Sequence, residues 1–381
     1  MIKVKLLNSN KGRNTDTFEP FKPVHRLFYD KFGIELLWHG DDGAPAEFKE
    51  RAETSDYDYL LVGPSDFVDK SKPLDESVDR GLENLHKVTE GGDYFLWDGF
   101  DSTSIMGSYE VFEQSDAIYM FKNQLLKNRE DYNLPYRCGK WFFGESYMTG
   151  HPYDIPKDKW NNIKLSGTNL GYTYMSKMNL WNTDRESNTS PYDNHSKVLY
   201  TPNLKKNIDI SAVYLAETGK SYEHDFRNDE LYMNHRVGAW EVLNKLNYNV
   251  FTSDHMGYGQ KRIDYLDKLY RSKVALSPYG QGEICYRDIE LIQLGTLMIK
   301  PDMSMVNTSP NIYVNDETYI PCKYDWSDLE EKVDLILSNY NELNEKMVYN
   351  MRQALNQYNS NNLCLHWYNI FSNLDDIKEE N

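Results

Sequence analysis

The fold of this chain is decided by Arg271-Ser-Lys-Val-Ala-Leu-Ser-Pro-Tyr-Gly-Gln-Gly-Glu-Ile-Cys-Tyr-Arg-Asp-Ile-Glu-Leu-Ile-Gln-Leu-Gly-Thr-Leu-Met-Ile-Lys-Pro-Asp302. The apolar run from Lys273 to Ser277 predicts a β-strand, which a proline stops. Gly280 and Gly282 then allow a tight turn, after which a helix is predicted to open near Glu283. A second apolar strand follows this helix. In parallel α/β sheets such a helix N-terminus lies at the carboxyl edge of the strands and attracts anions.

Polar residues are predicted to share one face of this helix. Glu283, Arg287 and Glu290 are spaced i, i+4 and i+7, whereas the opposite face carries apolar residues such as Ile289. An arginine on the polar face can fork onto a diphosphate, and Glu290 can accept hydrogen bonds from a ribose diol. Glu283 and Arg287 equally fit an ordinary surface ion pair worth about 0.2–0.5 kcal/mol, and spacing alone leaves that alternative open.

The stretch resembles the signature of exostosin-type glycosyltransferases of the GT-B architecture and their bacterial and viral relatives. The matching elements are Ser277-Pro-Tyr-Gly280, Arg287-Asp-Ile-Glu290, Gly295 and Lys300-Pro-Asp302. The resemblance covers the C-terminal half well and the N-terminal half loosely. It implies hexosyl or pentosyl transfer from a nucleotide-sugar donor, with Arg287 near the diphosphate and Glu290 near the nucleoside.

The Glu-x7-Glu pattern of many retaining GT-B enzymes is not met, because six residues separate Glu283 from Glu290. The stereochemistry therefore stays open, and the exostosin-type relatives favour inversion. GT-B enzymes replace a metal ion with positive groups and a helix dipole, so Arg236 and Lys300 are candidates for added positive charge at the leaving diphosphate. Each also fits a plain surface charge. The full donor-binding set predicted here is Ser277, Tyr279, Gly280, Gly282, Glu283, Arg287, Glu290, Lys300 and Arg236.

An inverting transfer also needs a base that deprotonates the acceptor hydroxyl. Asp98 and Asp101 follow a predicted strand and are the first candidates, with Arg287 as the third catalytic residue. Asp66 and His39 are weaker candidates for the base. An aspartate that caps a turn is the alternative for Asp98 and Asp101, because Asp-Gly is an ordinary turn dipeptide.

Composition limits the partners of this protein. The 381 residues carry a formal net charge of −17, which argues against nucleic acid, because Lys and Arg drive that binding. Cys138, Cys285, Cys322 and Cys364 form no Cys-x-x-Cys pair and are interpreted as reduced thiols of a cytoplasmic protein. No stretch has the length of a transmembrane helix or a signal peptide, which leaves peripheral membrane contact open.

No metal or other cofactor is expected. The nine histidines show no His-x-x-x-His spacing, and no Cys/His spacing suits zinc. Asp56-Tyr-Asp58 matches the Asp-x-Asp metal motif of GT-A transferases, but it precedes its apolar strand, which favours a turn.

The order of elements predicts an α/β protein with two Rossmann-like domains that face each other across a cleft. We predict an acceptor domain at 1–190, a donor domain at 207–358 and a C-terminal helix at 359–381 that crosses back to the first domain. The Gly- and aromatic-rich stretch from Tyr136 to Tyr174 is predicted as loop and short strand near the acceptor cleft, and Trp181 to Asn207 as the linker. Ser327-Asp-Leu-Glu330 predicts a capping box.

Predicted strands of the first half are Ile2–Leu7, Ile34–Trp38, Tyr57–Gly63 and Tyr94–Trp97, with helices Phe21–Phe32 and Leu74–Val88. In the second half they are strands Ile210–Ala216 and Asn249–Ser253, and helices Asp229–Leu246, Arg262–Arg271, Ser327–Tyr340, Glu342–Tyr358 and Leu363–Leu374.

These patterns favour a metal-independent glycosyltransferase of polysaccharide biosynthesis. It would move a sugar from a UDP- or GDP-sugar to a saccharide or lipid-linked acceptor. A glycoside hydrolase with two carboxylates is a second reading, which an arginine-bearing helix after a glycine loop disfavours. A non-catalytic carbohydrate- or nucleotide-binding protein of the same fold is the third.

Overall fold

The computed structural model describes residues 1–7, 17–39, 56–69, 72–89, 93–135, 153–177, 206–214, 229–253, 262–280 and 282–379. Two parallel β-sheets organise these residues, one in each half of the chain. Most of their strands are short, apolar and largely buried, as is typical of sheets covered by helices on both faces.

The first sheet has six strands in the order β2-β1-β3-β4-β5-β7, and every pairing in it is parallel. Its helices connect strands that are neighbours in the sheet or are separated by one other strand. The elements of this half are β1 (Ile2–Leu7), α1 (His25–Phe32), β2 (Ile34–His39), β3 (Tyr59–Val62), α2 (Leu74–Thr89), β4 (Tyr94–Asp98), α3 (Ser108–Gln114), β5 (Tyr119–Lys122), β6 (Gln124–Leu126), β7 (Ile163–Leu165) and α4 (Leu170–Lys177).

The second sheet has five strands in the order β13-β11-β10-β8-β9, again all parallel. Its elements are β8 (Ile208–Ala212), α5 (Asp229–Leu243), β9 (Val250–Thr252), α6 (Arg262–Arg271), β10 (Ser272–Leu276), α7 (Tyr286–Leu294), β11 (Leu297–Pro301), β12 (Val306–Thr308), β13 (Ile320–Cys322), α8 (Leu329–Ser338), α9 (Tyr340–Leu355) and α10 (Ser360–Glu379).

A strand pairing and a returning helix are two of the features that connect the halves. Strand β6 of the first half pairs antiparallel with β12 of the second, from Gln124–Thr308 to Leu126–Val306. Helix α10 returns to the first half, where Trp367 contacts the rings of Phe21, Trp97 and Phe121 at centroid distances of 5.3, 5.2 and 5.0 Å. Trp367 is fully buried, so this aromatic cluster holds the C-terminal helix onto the first sheet.

The predicted α/β class, the two Rossmann-like halves and the returning C-terminal helix are confirmed. The structure corrects three local predictions. Helix α7 begins at Tyr286 and not near Glu283. Helix α8 begins after Asp328, whose side chain makes no capping hydrogen bond, so the capping box at Ser327 is wrong. The part of the loop prediction near Tyr174 is also wrong, because α4 is a helix.

Most of the predicted linker, and residues 136–152 of the aromatic-rich stretch, lie outside the described residues. Among the described helices, none is both long enough and apolar enough to cross a membrane.

Candidate functional site

The start of α7 is fixed by a reciprocal cap. Cys285 has extended backbone angles, and its N–H donates to Asp288 Oδ2 at 3.0 Å, while the Asp288 N–H donates back to the Cys285 carbonyl at 3.1 Å. At the other end Gly295 takes the left-handed conformation that closes many helices, with φ of 59°. Glu283 therefore precedes the helix, and the prediction that it shares a helical face with Arg287 and Glu290 is wrong.

Beneath this cap lies a buried charge pair. Lys300 Nζ lies 3.1 Å from Asp288 Oδ2, and neither side chain has exposed surface. Asp288 also accepts hydrogen bonds from the hydroxyls of Ser277 and Tyr313. Lys300 donates further to the Ser277 carbonyl at 3.4 Å. The structure thus places Ser277 and Lys300 under the glycine loop, where they join β10 and β11 to α7, and not on the surface that a diphosphate would meet.

Arg287 sits in the first turn of α7, with its guanidinium over an aromatic ring. Its central carbon is 5.1 Å from the centroid of Tyr214, and Nε donates to the Val213 carbonyl at 3.2 Å. Its buried Nη1 has no hydrogen-bond partner among the described residues, and Arg287 forms no salt bridge to any of them. A guanidinium with an unused donor at a helix N-terminus is suited to an incoming anion.

A second arginine shares this tyrosine. The guanidinium carbon of Arg236, on α5, is 5.8 Å from the Tyr214 centroid, and its Nε donates to the Tyr279 carbonyl at 3.1 Å. A Cβ added at Gly280 would lie 3.1 Å from Arg236 Nη2, so glycine leaves room for this arginine. Four predicted site residues, Arg236, Tyr279, Gly280 and Arg287, are therefore brought together at the carboxyl edge of the second sheet.

Tyr214, which sequence reasoning missed, orients both cations. It lies two residues after the end of β8, stacks on Trp240 with the two ring planes 13° apart, and donates its hydroxyl to the Arg236 carbonyl at 3.2 Å. Cation–π contacts of this kind stabilise a charge by about 0.5–2 kcal/mol. A strand was predicted over this stretch, and an aromatic residue at the end of an apolar run is usually a core residue. Nothing local in the sequence therefore indicated that Tyr214 belongs to the site.

Glu283 and Gly282 contact the first half of the chain. Glu283 is fully buried and accepts hydrogen bonds from the Thr103 N–H at 3.0 Å, the Thr103 hydroxyl at 2.7 Å and Gln124 Nε2 at 2.6 Å. A Cβ on Gly282 would lie 1.5 Å from the Asp101 carbonyl oxygen. The geometry therefore assigns Glu283 to the contact between the halves and gives it no exposed surface for a donor.

Glu290 points toward α6. It accepts hydrogen bonds from Arg262 Nη2 at 2.8 Å and from the Tyr265 hydroxyl at 2.5 Å, and it is 3% exposed. Burial, together with the Glu290 charge, raises the pKa of the Tyr265 hydroxyl well above its ordinary value, so this hydroxyl stays a donor. Each oxygen of Glu290 thus already accepts a hydrogen bond, and the side chain has little exposed surface for a ribose.

The two candidate bases differ in accessibility. Asp98 ends β4 with no exposed surface, and its Oδ1 accepts from Lys122 Nζ at 3.1 Å and from the Phe100 N–H at 3.0 Å. Asp101 is half-buried, and its carbonyl accepts a hydrogen bond from the Gln124 side chain. Asp101 is thus partly open to solvent in this conformation, whereas Asp98 is not. Of the weaker candidates, Asp66 is buried, and the His39 side chain lies outside the described residues.

Similar folds occur among solved structures. Sucrose-phosphate synthase from Thermosynechococcus elongatus is 11% identical, with a TM-score of 0.48 over 99% of this chain and 100% of that one. HepE from Anabaena, solved in complex with UDP-glucose, is 9% identical, with a TM-score of 0.45 over 98% of this chain and 100% of that one. BGT of phage T4, solved with its UDP-glucose substrate, is 13% identical, with a TM-score of 0.42 over 98% of both chains. At these identities the likeness concerns the fold alone.

In sequence, the chain matches neither a protein-family model nor a curated protein. The resemblance to exostosin-type enzymes therefore stays a prediction. Within the described ranges, no three His, Cys, Asp or Glu side chains lie together in a way that could hold a metal ion.

Proposed function

We propose that this protein is a glycosyltransferase that uses a nucleotide-sugar donor and binds the donor diphosphate at the first turn of α7. The observation that carries the proposal is Arg287, whose guanidinium is oriented by Tyr214 and the Val213 carbonyl while Nη1 has no partner among the described residues. Arg236 adds a second cation within 5.8 Å of the same ring. Two arginines at one tyrosine make a local positive site in a chain with a net charge of −17.

The chemistry of transfer fits this arrangement. The acceptor oxygen attacks the anomeric carbon, the bond from that carbon to the phosphate oxygen breaks, and the nucleoside diphosphate leaves with the extra negative charge. Arg287, Arg236 and the N-terminal amides of α7 would stabilise that charge without a metal ion. Removal of one such donor typically lowers kcat by about 100- to 1,000-fold.

Asp101 is our proposed base, which would take the proton of the acceptor hydroxyl as the new bond forms. Its backbone touches Gly282 of the glycine loop, so the proposed base and the donor loop are neighbours. Direct displacement of this kind inverts the anomeric centre. The proposal includes an acceptor domain at 1–190, a donor domain at 207–358 and a saccharide or lipid-linked acceptor.

The test is nucleotide binding and release with a panel of UDP- and GDP-sugars. Calorimetry should show binding of UDP or GDP to the wild type, and Arg287→Ala should abolish it. Arg80→Ala is the matched control, since Arg80 is exposed on α2 and pairs with Asp69. If no member of the panel is bound and none is turned over, the proposal is wrong. Unchanged affinity in Arg287→Ala would show that the site lies elsewhere.

Binding without transfer is the competing outcome. A nucleotide-sugar-binding protein of the same fold would keep UDP or GDP affinity in the wild type, would lose it in Arg287→Ala, and would release no nucleotide with any acceptor. Asp101→Asn separates the two cases, because it should spare donor binding and lower transfer only if the protein is an enzyme.

A further inference from the structure

The donor loop is attached directly to the segment that follows β4. The carboxylate of Glu283 accepts three hydrogen bonds from residues of the first half, two from Thr103 and one from Gln124. All three side chains are at most 1% exposed. Because a buried carboxylate is costly unless it is hydrogen-bonded, these donors hold Glu283 firmly in place.

The backbone contact at Gly282 tightens the same junction. A Cβ at this position would overlap the Asp101 carbonyl, at 1.5 Å from its oxygen and 2.1 Å from its carbon, and would lie 2.7 Å from the Ser102 nitrogen. These neighbours are backbone atoms, which cannot rotate away as a side chain could. Glycine is therefore the residue that lets the donor loop lie directly against residues 101–102.

The other side of the 101–103 segment is also held. The Tyr132 hydroxyl donates to the Thr103 carbonyl at 2.7 Å and accepts from the Leu126 N–H at 2.9 Å. Leu126 belongs to β6, which pairs with β12 of the second half. The Gln124 side chain, from the same strand, bonds both the Asp101 carbonyl and Glu283. Each hydrogen bond of this network either crosses between the two halves or holds a residue that contacts the other half.

We propose that Glu283 is a positioning residue that fixes the 101–103 segment, and with it the proposed base Asp101, against the donor loop. We call Glu283, Thr103 and Gln124 the Glu283 junction. The inference rests on the proposed function, since it gives Glu283 a part in transfer without any contact to the donor. It also implies that the base and the donor loop keep their spacing before substrate arrives, which preorganises the site.

The kinetic test uses Glu283→Gln, Thr103→Val and the double variant. Each single variant should lower kcat by about 10- to 100-fold, because small misplacements of reacting groups have effects of this size. Donor affinity measured by calorimetry should stay within about threefold of the wild type, and the double variant should be no slower than the worse single variant. Thr103→Ser keeps both donors to Glu283, the backbone N–H and the hydroxyl, so its kcat should stay close to that of the wild type.

Two kinetic results would overturn the proposal. If Glu283→Gln weakens donor binding tenfold or more while kcat at saturation stays unchanged, Glu283 acts in donor binding. If the effects of Glu283→Gln and Thr103→Val on kcat multiply, the two residues do not act through one contact.

A second measurement needs no turnover, so it separates failure of the junction from failure of the proposed function. Hydrogen exchange of peptides that cover residues 99–104 should be faster in Glu283→Gln than in the wild type, while peptides of α2 should exchange equally in both. Unchanged exchange at 99–104 would overturn the junction even if the protein proves to be a glycosyltransferase. Faster exchange in a protein that binds no nucleotide would support the junction and reject the function.

Discussion

Each half of the molecule contains a buried lysine–aspartate pair at the carboxyl edge of its sheet, and the two pairs differ in how completely they are satisfied. Lys122 lies 3.1 Å from Asp98 in the first half, and Lys300 lies 3.1 Å from Asp288 in the second. All four side chains are at most 1% exposed. The positions match as well, since each lysine comes from a strand and each aspartate lies close to a glycine-containing loop.

The difference lies in the carboxylates. Asp288 accepts from Ser277, Tyr313, the Cys285 N–H and Lys300, so both of its oxygens are used. Asp98 uses only Oδ1, and its buried Oδ2 has no partner among the described residues. A fully satisfied buried pair resists change, whereas a half-satisfied one leaves an acceptor in a low-dielectric site. The Lys300–Asp288 pair therefore supports the helix that carries Arg287. The Lys122–Asp98 pair still has an acceptor, Asp98 Oδ2, that can take a further hydrogen bond.

Removal of Asp288 should have the largest effect. Asp288→Ala leaves Lys300 as a buried charge without its counterion and leaves the Cys285 N–H uncapped, so we expect the free energy of unfolding to fall by about 3–5 kcal/mol. Urea denaturation measures it. The double replacement Asp288→Leu with Lys300→Met removes both charges but still leaves the Cys285 N–H uncapped, so it should lose less stability than the single variant without reaching the wild type. A loss below about 1 kcal/mol in the single variant would contradict the structural role.

Asp98→Asn should have a smaller effect on the same scale. The amide keeps the shape of the side chain and can still accept from the Phe100 N–H, but Lys122 loses its counterion, so we expect a loss of about 2–3 kcal/mol in urea denaturation. Asp101→Asn is the matched control, because Asp101 is half-buried and should change stability by less than about 1 kcal/mol. If Asp98→Asn were as damaging as Asp288→Ala, the contrast between the pairs would fail.

Asp98 and Asp288 show how much of the structure could be predicted from the sequence. The first four strands were predictable because each is an apolar run that ends in a polar or glycine cluster, as Tyr94–Asp98 does. The short strands β5, β6, β12 and β13 were not predicted. The start of α7 was not, because a cysteine is an unusual N-cap. The only signal was an aspartate three residues later, where a capping box places an acidic residue. Helix α4 was missed because residues on all its sides, such as Tyr172, Thr173 and Tyr174, are buried, which removes the helical alternation of apolar and polar residues.

The junction of the two halves could not be predicted from one sequence. Thr103 and Glu283 are 180 residues apart, and nothing local to either residue indicates the other. Spacing placed Glu283 on a helical face with Arg287, whereas tertiary packing turned it toward the first sheet. The cluster of Arg287, Arg236 and Gly280 followed from the order of strand, loop and helix, because that order fixes the carboxyl edge.

The buried His235, next to Arg236 in the second half, should make the stability of the protein depend on pH. Burial lowers the pKa of His235 to about 3, and the nearby charges of Arg236 and Lys300 act in the same direction. The unfolded chain binds this proton near its ordinary pKa of 6.5. The stability contributed by neutral His235 is therefore fully present above pH 6.5 and is lost as the pH falls toward 3. At pH 5 the loss is about 2 kcal/mol.

His235→Phe should remove this part of the acid sensitivity, because phenylalanine can keep the stacking on Tyr324 and Trp326 but cannot be protonated. The measurement is urea denaturation of both proteins at pH 7 and pH 5. His86→Phe is the control, since His86 is exposed on α2 and its replacement should leave the acid sensitivity unchanged. Equal loss of stability in the wild type and in His235→Phe would show that the histidine is not responsible.

Ser277→Ala should have the smallest effect, and it tests whether Ser277 only supports Asp288 or also binds the donor. It removes one of the donors to Asp288 and leaves Lys300, Tyr313 and the Cys285 N–H in place, so we expect a loss of about 1 kcal/mol in urea denaturation. If Ser277 only supports Asp288, affinity for UDP or GDP should stay within about threefold of the wild type. A tenfold or greater loss of affinity, with stability unchanged, would return Ser277 to the donor surface that its place before the glycine loop predicts. Such a result would also mean that the loop moves when nucleotide binds, because Ser277 has no exposed surface in this structure.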